Sequence, residues 1–137
     1  MARDTRTGDV LERMVLPALE LGGYQCKRRV HIGKRFGARK HIVDAIAEKD
    51  GAKILVSLKW QQVSGTAEQK IPFEVMCLAE AVEEGDFLKA YVVLGGDGWT
   101  LRDLYTRGVL DKYLRNVGSV HVVTLERFIA IANQGKL

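Results

Sequence analysis

The sequence predicts an α/β domain built on a mixed central sheet. Three observations carry that reading. Short stretches with strand character alternate with stretches whose apolar residues recur at helical spacing. Gly and Pro clusters fall between these stretches, as expected of turns. Ile54, Leu55, Val56 and Leu58 form a nearly continuous apolar run, the signature of a central strand buried on both faces.

The elements follow in order. Val10, Leu11, Met14, Val15, Ala18 and Leu19 repeat at helical spacing; Thr7 or Asp9 can cap this helix, Gly22-Gly23 ends it, and Pro17 predicts a kink inside it. Residues 24–32 read as a strand with basic outward positions, 33–37 as a turn, and 41–46 as a second strand. Asp50-Gly51 is a strong hairpin signal leading to a third strand over 53–60. Ser64-Gly65-Thr66 opens a helix with Pro72 near its first turns and Val75, Leu78, Ala79 and Val82 on its apolar face; Gly85 stops it. A fourth strand covers 90–94, a helix 101–114, a short strand 119–124 and a last helix 125–133. The order is αβββαβ followed by αβα: a three-stranded meander, then a helical crossover.

Size and composition bound the function. A chain of 137 residues suits one domain, 1–137, with one core. No apolar run approaches the roughly 18–20 residues that span a bilayer, and no apolar stretch follows Met1-Ala2-Arg3 as in a secretory leader. Cys26 and Cys77 form no CxxC and have no His at zinc spacing, which points to reduced thiols in a cytoplasmic protein. Gly95-Gly96-Asp97-Gly98 lacks the pattern of a nucleotide loop and reads as a tight turn. Trp60 and Trp99 read as packing residues and His121 as structural.

Charge is distributed unevenly. Lys27, Arg28, Arg29, Lys34, Arg35, Arg39 and Lys40 lie between Cys26 and His41 with no acid among them. The segment carries seven positive charges against a net +4, so the remainder is net −3. One basic segment on a slightly acidic domain suits contact with phosphates, with His31 and His41 flanking it. The plain alternative is a solvated loop beside a strand.

The stretch with chemistry is Asp44 on one strand and Ser57-Leu58-Lys59-Trp60-Gln61 on its hairpin partner. Residues two apart on a strand share a face, so Ser57 and Lys59 point together and Asp44 can reach them from the next strand. A carboxylate there, with the Leu58 carbonyl, suits a hard cation such as Mg²⁺. A neighbouring lysine can orient an attacking water and offset phosphate charge. An acid inside the apolar run Ile42 to Ile46 is costly if buried unpaired, which favours a role for Asp44.

These residues resemble the PD-(D/E)XK, or restriction-endonuclease-like, superfamily, whose motif is an Asp on one strand and (D/E)-x-K on the next. The N-terminal helix with Glu12 before Gly23-Tyr24 is similar to archaeal Holliday-junction resolvases. Lys59-Trp60-Gln61 followed by Ser64 to Lys70 is similar to small phage, restriction and homing endonucleases. The resemblance spans roughly residues 8 to 133. It implies a restriction-endonuclease-like fold with a C-terminal αβα extension, and a prokaryotic or phage-encoded DNA endonuclease using Mg²⁺, with Mn²⁺ able to substitute. It implies Asp44 as central metal ligand, Lys59 as catalytic lysine, Glu12 (rather than Glu20, late in its helix) as a further ligand, and Gln61 as a contact to phosphate or water. Lys70 joins the basic segment as a DNA contact. Cutting both strands of a duplex implies a homodimer or dimer of dimers. The expected activity is site-specific double-strand cleavage, with junction resolution or DNA binding by an inactive domain as alternatives.

The departure is Ser57, where the family has its second carboxylate. Serine is neutral and a poor Mg²⁺ ligand. Three explanations compete: the acid is lost, it was substituted artificially, or it has migrated, with Glu12, Glu48 or Glu74 taking its place.

Overall fold

A computed structural model describes residues 6–137. Helical turns α1 (Arg6–Val10), a π turn (Leu11–Val15) and α2 (Leu16–Leu21) form one run. Pro17 lies in the first turn of α2. Its ring returns no N–H to the preceding turn, and the turn just before it is widened to π form.

Strands β1 (Gln25–Arg35), β2 (Arg39–Lys49) and β3 (Ala52–Trp60) follow as an antiparallel meander. Both of the first two run longer than the sequence alternation suggests. At the first hairpin Ala38 N–H donates to Arg35 O at 3.0 Å, and Phe36 (φ 49°) and Gly37 (φ 75°) both have positive φ. At the second, Asp50 (φ 54°) and Gly51 (φ 80°) do the same, the turn that Asp-Gly predicts. A 3-10 turn (Thr66–Lys70) leads into α3 (Ile71–Glu84), with Pro72 in its first turn. Then come β4 (Lys89–Gly95), α4 (Arg102–Thr106), α5 (Val109–Tyr113), β5 (Val120–Thr124) and α6 (Leu125–Asn133). The single helix expected over 101–114 is broken at Gly108, whose φ of 83° no continuous helix tolerates.

The sheet order is β1-β2-β3-β4-β5, with β3, β4 and β5 parallel. One face carries the 6–21 run and α6 over Ala45, Ala47, Val56, Leu58, Tyr91 and Val93. The other carries α3 and the segment 99–117 over Ile46, Leu55, Val92 and Leu94. β3 is therefore covered on both sides, as its apolar run predicts. Together these features make the fold α/β, a mixed five-stranded sheet between two helical layers. No helix among the described residues is long and apolar enough to cross a membrane. Cys26 and Cys77 are both free, and burial pushes each thiol up to about 11.

Candidate active site

The site grows from an irregularity in β2. Ala45 and Ala47 face the first helical layer and Ile46 the second, yet Val43 also faces the second. The alternation changes phase at Asp44. The β2–β3 ladder runs from Lys49↔Ala52 to Ala45↔Val56 and goes no further. Where the next backbone bond would fall, Asp44 Oδ2 accepts from Leu58 N at 2.6 Å. On the other side, Arg29 opposite Asp44 has φ 48°, a conformation costing a non-glycine residue about 1–3 kcal/mol. The side chain of Asp44 thus replaces main-chain pairing and is fixed at the point where the two strands part.

β3 delivers Ser57 and Lys59 to the face covered by α3, and α3 delivers Glu74. This carboxylate is buried, 4% exposed. Its Oε1 accepts from Ser57 Oγ at 3.2 Å and lies 3.3 Å from His41 Nε2. Its Oε2 lies 3.2 Å from an Arg35 nitrogen and 3.6 Å from Lys59 Nζ. Burial alone would push the Glu74 carboxyl up. The His41 hydrogen bond and the charges of Lys59 and Arg35 outweigh it and bring the group from 4.5 down to about 2. Glu74 is an anion at neutral pH. Asp44 goes the other way: burial raises it above 3.8 and the Glu74 charge adds to that, against the Leu58 N–H, Lys59 and Arg29.

Asp44, Ser57 and Lys59 come together as the motif requires, and Ser57 is the residue that holds Glu74. Other expected site residues make contacts of their own. Glu12 is half exposed and salt-bridged to Arg28. Gln61, expected to reach phosphate or water, is buried and its amide donates to Gly98 O at 2.8 Å. The turn after β4 leans on this segment: a Cβ on Gly96 would stand 2.4 Å from Gln61 O, and one on Gly98 2.5 Å from Val63. Those glycines serve close packing. Trp99 donates to Gly95 O at 2.7 Å and is buried, as a packing residue should be.

Lys27, Arg28, Arg29, His31, Lys34, Arg39, Lys40 and Lys70 are exposed, as contacts to DNA need. His41 and Arg35 are corrections. The phase change turns His41 inward to 1% exposure, and Arg35 folds over Glu74. Glu74 itself was readable only as one of three substitute acids. A sharper signal was present: with Ile71, Val75 and Leu78 it occupies the buried stripe of α3, where an acid needs partners.

Among the described residues no three His, Cys, Asp or Glu side chains form a ready metal cluster. The donor set nonetheless fits a hard divalent cation. Two carboxylates are near enough for one to raise the other's pKa, backbone oxygen of β3 is adjacent, and no thiolate competes. Mg²⁺ characteristically takes one or two carboxylates and completes its shell with water and substrate phosphate. A cation beside Asp44 would reverse the penalty that burial and Glu74 impose on its ionised form.

Residues 3–136 match the family described as PD-(D/E)XK nuclease superfamily domain. No curated protein matches the sequence. Among solved structures, a protein of unknown function, AF1548, is similar at TM-score 0.50 and 16% identity, over 80% of this chain and 54% of its own. A repair endonuclease from Pyrococcus abyssi is similar at TM-score 0.45 and 17% identity, over 90% of this chain and 46% of its own. The chain thus spans about half the length of these structures, and at such identity the first concerns the fold alone. The family match along nearly the whole sequence, residues 3–136, places this chain in the PD-(D/E)XK nuclease superfamily.

Proposed function

We propose that this chain is a divalent-metal-dependent DNA endonuclease in which Glu74, on the crossover helix, supplies the carboxylate that Ser57 lacks. One observation carries the reading: the Glu74 carboxylate rests on Ser57 Oγ at 3.2 Å with Lys59 Nζ 3.6 Å away. It reaches, from α3, the position a longer acidic side chain at residue 57 would reach from β3. Asp44, Glu74 and the Leu58 carbonyl would hold the metal, Mg²⁺ or Mn²⁺. When bound, the metal supplies a water of lowered pKa and polarises the scissile phosphate.

The chain's own groups do the rest. Leu58 N–H fixes the Asp44 carboxylate, and Ser57 and His41 fix Glu74. Lys59 donates to the attacking water or to a phosphate oxygen and offsets the charge that builds in the transition state. Arg35 neutralises Glu74 while no phosphate is present. The exposed β1–β2 hairpin, with Lys27, Arg28, Lys34, Arg39 and Lys40, tracks the backbone. Cutting both strands of a duplex would take two such sites, hence two copies of the chain.

The test is cleavage of plasmid and oligonucleotide DNA in Mg²⁺ and Mn²⁺ by the chain and by Glu74→Gln, Asp44→Asn and Ser57→Glu. The unmodified chain is expected to cut. Glu74→Gln and Asp44→Asn should each lose about a thousandfold, the order of a few kcal/mol of charge stabilisation. If Glu74→Gln cuts as fast as the parent, Glu74 is no part of the site. If only Ser57→Glu cuts, the site is a disabled one and Glu74 does not compensate.

A further inference from the structure

At the tip of the basic hairpin stands an aromatic residue that the turn does not favour. Turn positions with positive φ select Asn, Asp or Gly. Here the first position is Phe36, at φ 49°. Its backbone N–H is held by Glu80 Oε1 at 2.8 Å. Its ring lies against that of Phe73, centroids 6.2 Å apart and planes 44° inclined. Neither ring is covered: Phe36 is 50% and Phe73 51% exposed, and Met76, one turn further along α3, is 40% exposed. The hairpin tip is thus anchored on α3 with two aromatic rings facing outward.

Its position gives this pair a meaning. Phe73 adjoins Glu74 in sequence, and Phe36 adjoins Arg35, whose guanidinium reaches Glu74. Arg39 pairs with Arg35 and so lies on the α3 side of the hairpin, exposed beside the rings, whereas Lys34 and Lys40 pair on its other side. Apolar rings set in a cationic rim beside the site suit a base whose own phosphates carry the complementary charge. Bases in uninterrupted duplex are stacked on each other and offer no face; an unpaired base does.

We propose that Phe36 and Phe73 form a stacking platform for an unpaired nucleobase beside the scissile phosphate, so that the preferred substrate is DNA with a single-stranded segment at the cut. This narrows the nuclease reading and rests on it. The rings take a base face, Arg39 takes a flanking phosphate, and Glu74 lies one residue from Phe73 on the same helix. The platform is sequence-tolerant, because every base has a π-face.

The experiment separates binding from cutting. Oligonucleotides with 2-aminopurine, single-stranded, as a flap, and in blunt duplex of equal length, are titrated with the full chain in EDTA, while cleavage is followed separately in Mg²⁺. The variants are Phe73→Ala and Phe36→Asn; asparagine suits the turn, so the fold is retained. The unmodified chain should quench the fluorescence of the single-stranded and flap forms and bind them at least about tenfold tighter than duplex. Each variant should lose about 5- to 100-fold of that affinity, the range of one base–aromatic stack. Equal affinity for duplex and flap, or variants that bind unpaired DNA like the parent, would overturn the platform while leaving cleavage, and so the nuclease reading, standing. Quenching and preference without any cleavage would support the platform and sink the nuclease reading alone. A dimer in sedimentation that Phe36→Asn dissociates, with DNA affinity unchanged, would overturn the proposal and make the rings a contact between copies.

Discussion

Two buried glutamates lie six residues apart where the chain enters α3, and they are held in opposite ways. Glu68 is 6% exposed and Glu74 is 4% exposed. Glu68 accepts from the Thr100 hydroxyl and from the N–H groups of Thr100 and Leu101, and its own backbone oxygen accepts from Tyr105 Oη at 2.8 Å. Its pKa is lowered chiefly by the Thr100 hydroxyl, against burial and with help from the two backbone donors. All these partners are neutral and local to one loop. Glu74 draws instead on Ser57, His41, Arg35 and Lys59, from three strands, two of them cations. Neutral donors saturate a carboxylate and make it a fastener. An excess of positive charge makes a carboxylate that a second cation can share once phosphate draws Arg35 or Lys59 away.

The contrast can be broken by substitution. Hydrogen bonds to a charged acceptor are worth about 1.5–3 kcal/mol each, so Glu68→Ala is expected to cost roughly 3 kcal/mol or more in urea unfolding. At temperatures where it stays folded it should cleave within a few-fold of the parent. A folded Glu68→Ala that fails to cut would put Glu68 in the site and erase the distinction.

Acid titration sharpens it further. Glu74 falls from 4.5 to about 2 on folding, so its contribution is complete above 4.5 and drains as the pH drops towards 2. Glu68 is lowered too and drains in the same direction. Asp44 is raised above 3.8; its contribution is fully present below 3.8 and is lost as pH rises through the folded value. Unfolding followed from pH 7 to pH 2 should therefore show Glu74→Gln with a flatter acid limb than the parent. Asp44→Asn, which keeps an acceptor for Leu58 N–H, should be more stable than the parent at pH 7 even as its cleavage falls. Parallel curves for parent and Glu74→Gln would mean that Glu74 is not held as an anion.

Ser57→Ala should have the smallest effect. It removes one bond to Glu74, about 1.5–3 kcal/mol of stability for a charged acceptor, and leaves three other partners to hold the carboxylate. Cleavage should fall no more than about tenfold, as for loss of an outer contact to a metal ligand. A loss as deep as that of Glu74→Gln would make the Ser57 hydroxyl a ligand in its own right.

The order of elements was legible because each is announced locally, by Asp50-Gly51, by Pro72 and by the apolar run of β3. Asp44 and Lys59 were legible for the same reason: their spacing lies within one hairpin. Alternation failed at Asp44, where the ladder ends, and with it failed the reading of His41, which a regular strand would have sent to solvent. Arg35 was read by its company in a basic run, although its partner lies 39 residues ahead. Glu74 was among the substitute acids because it could be reached by elimination; its place in the apolar stripe of α3 was the physical reason to prefer it. The break at Gly108 depends on a backbone angle that composition does not announce.

The parting of β2 and β3 also bears on how the molecule assembles. Asp44 and Leu58 are 14 residues apart and Ser57 and Glu74 17, but His41 and Arg35 find Glu74 across 33 and 39. Loop closure grows costlier with that span. The meander can close through its two tight turns with one carboxylate in hand, and the second arrives only when the crossover helix docks. A nascent chain that has made its hairpins is therefore still without the complete pair, and amide exchange at the start of α3 would time the moment at which the site comes into being.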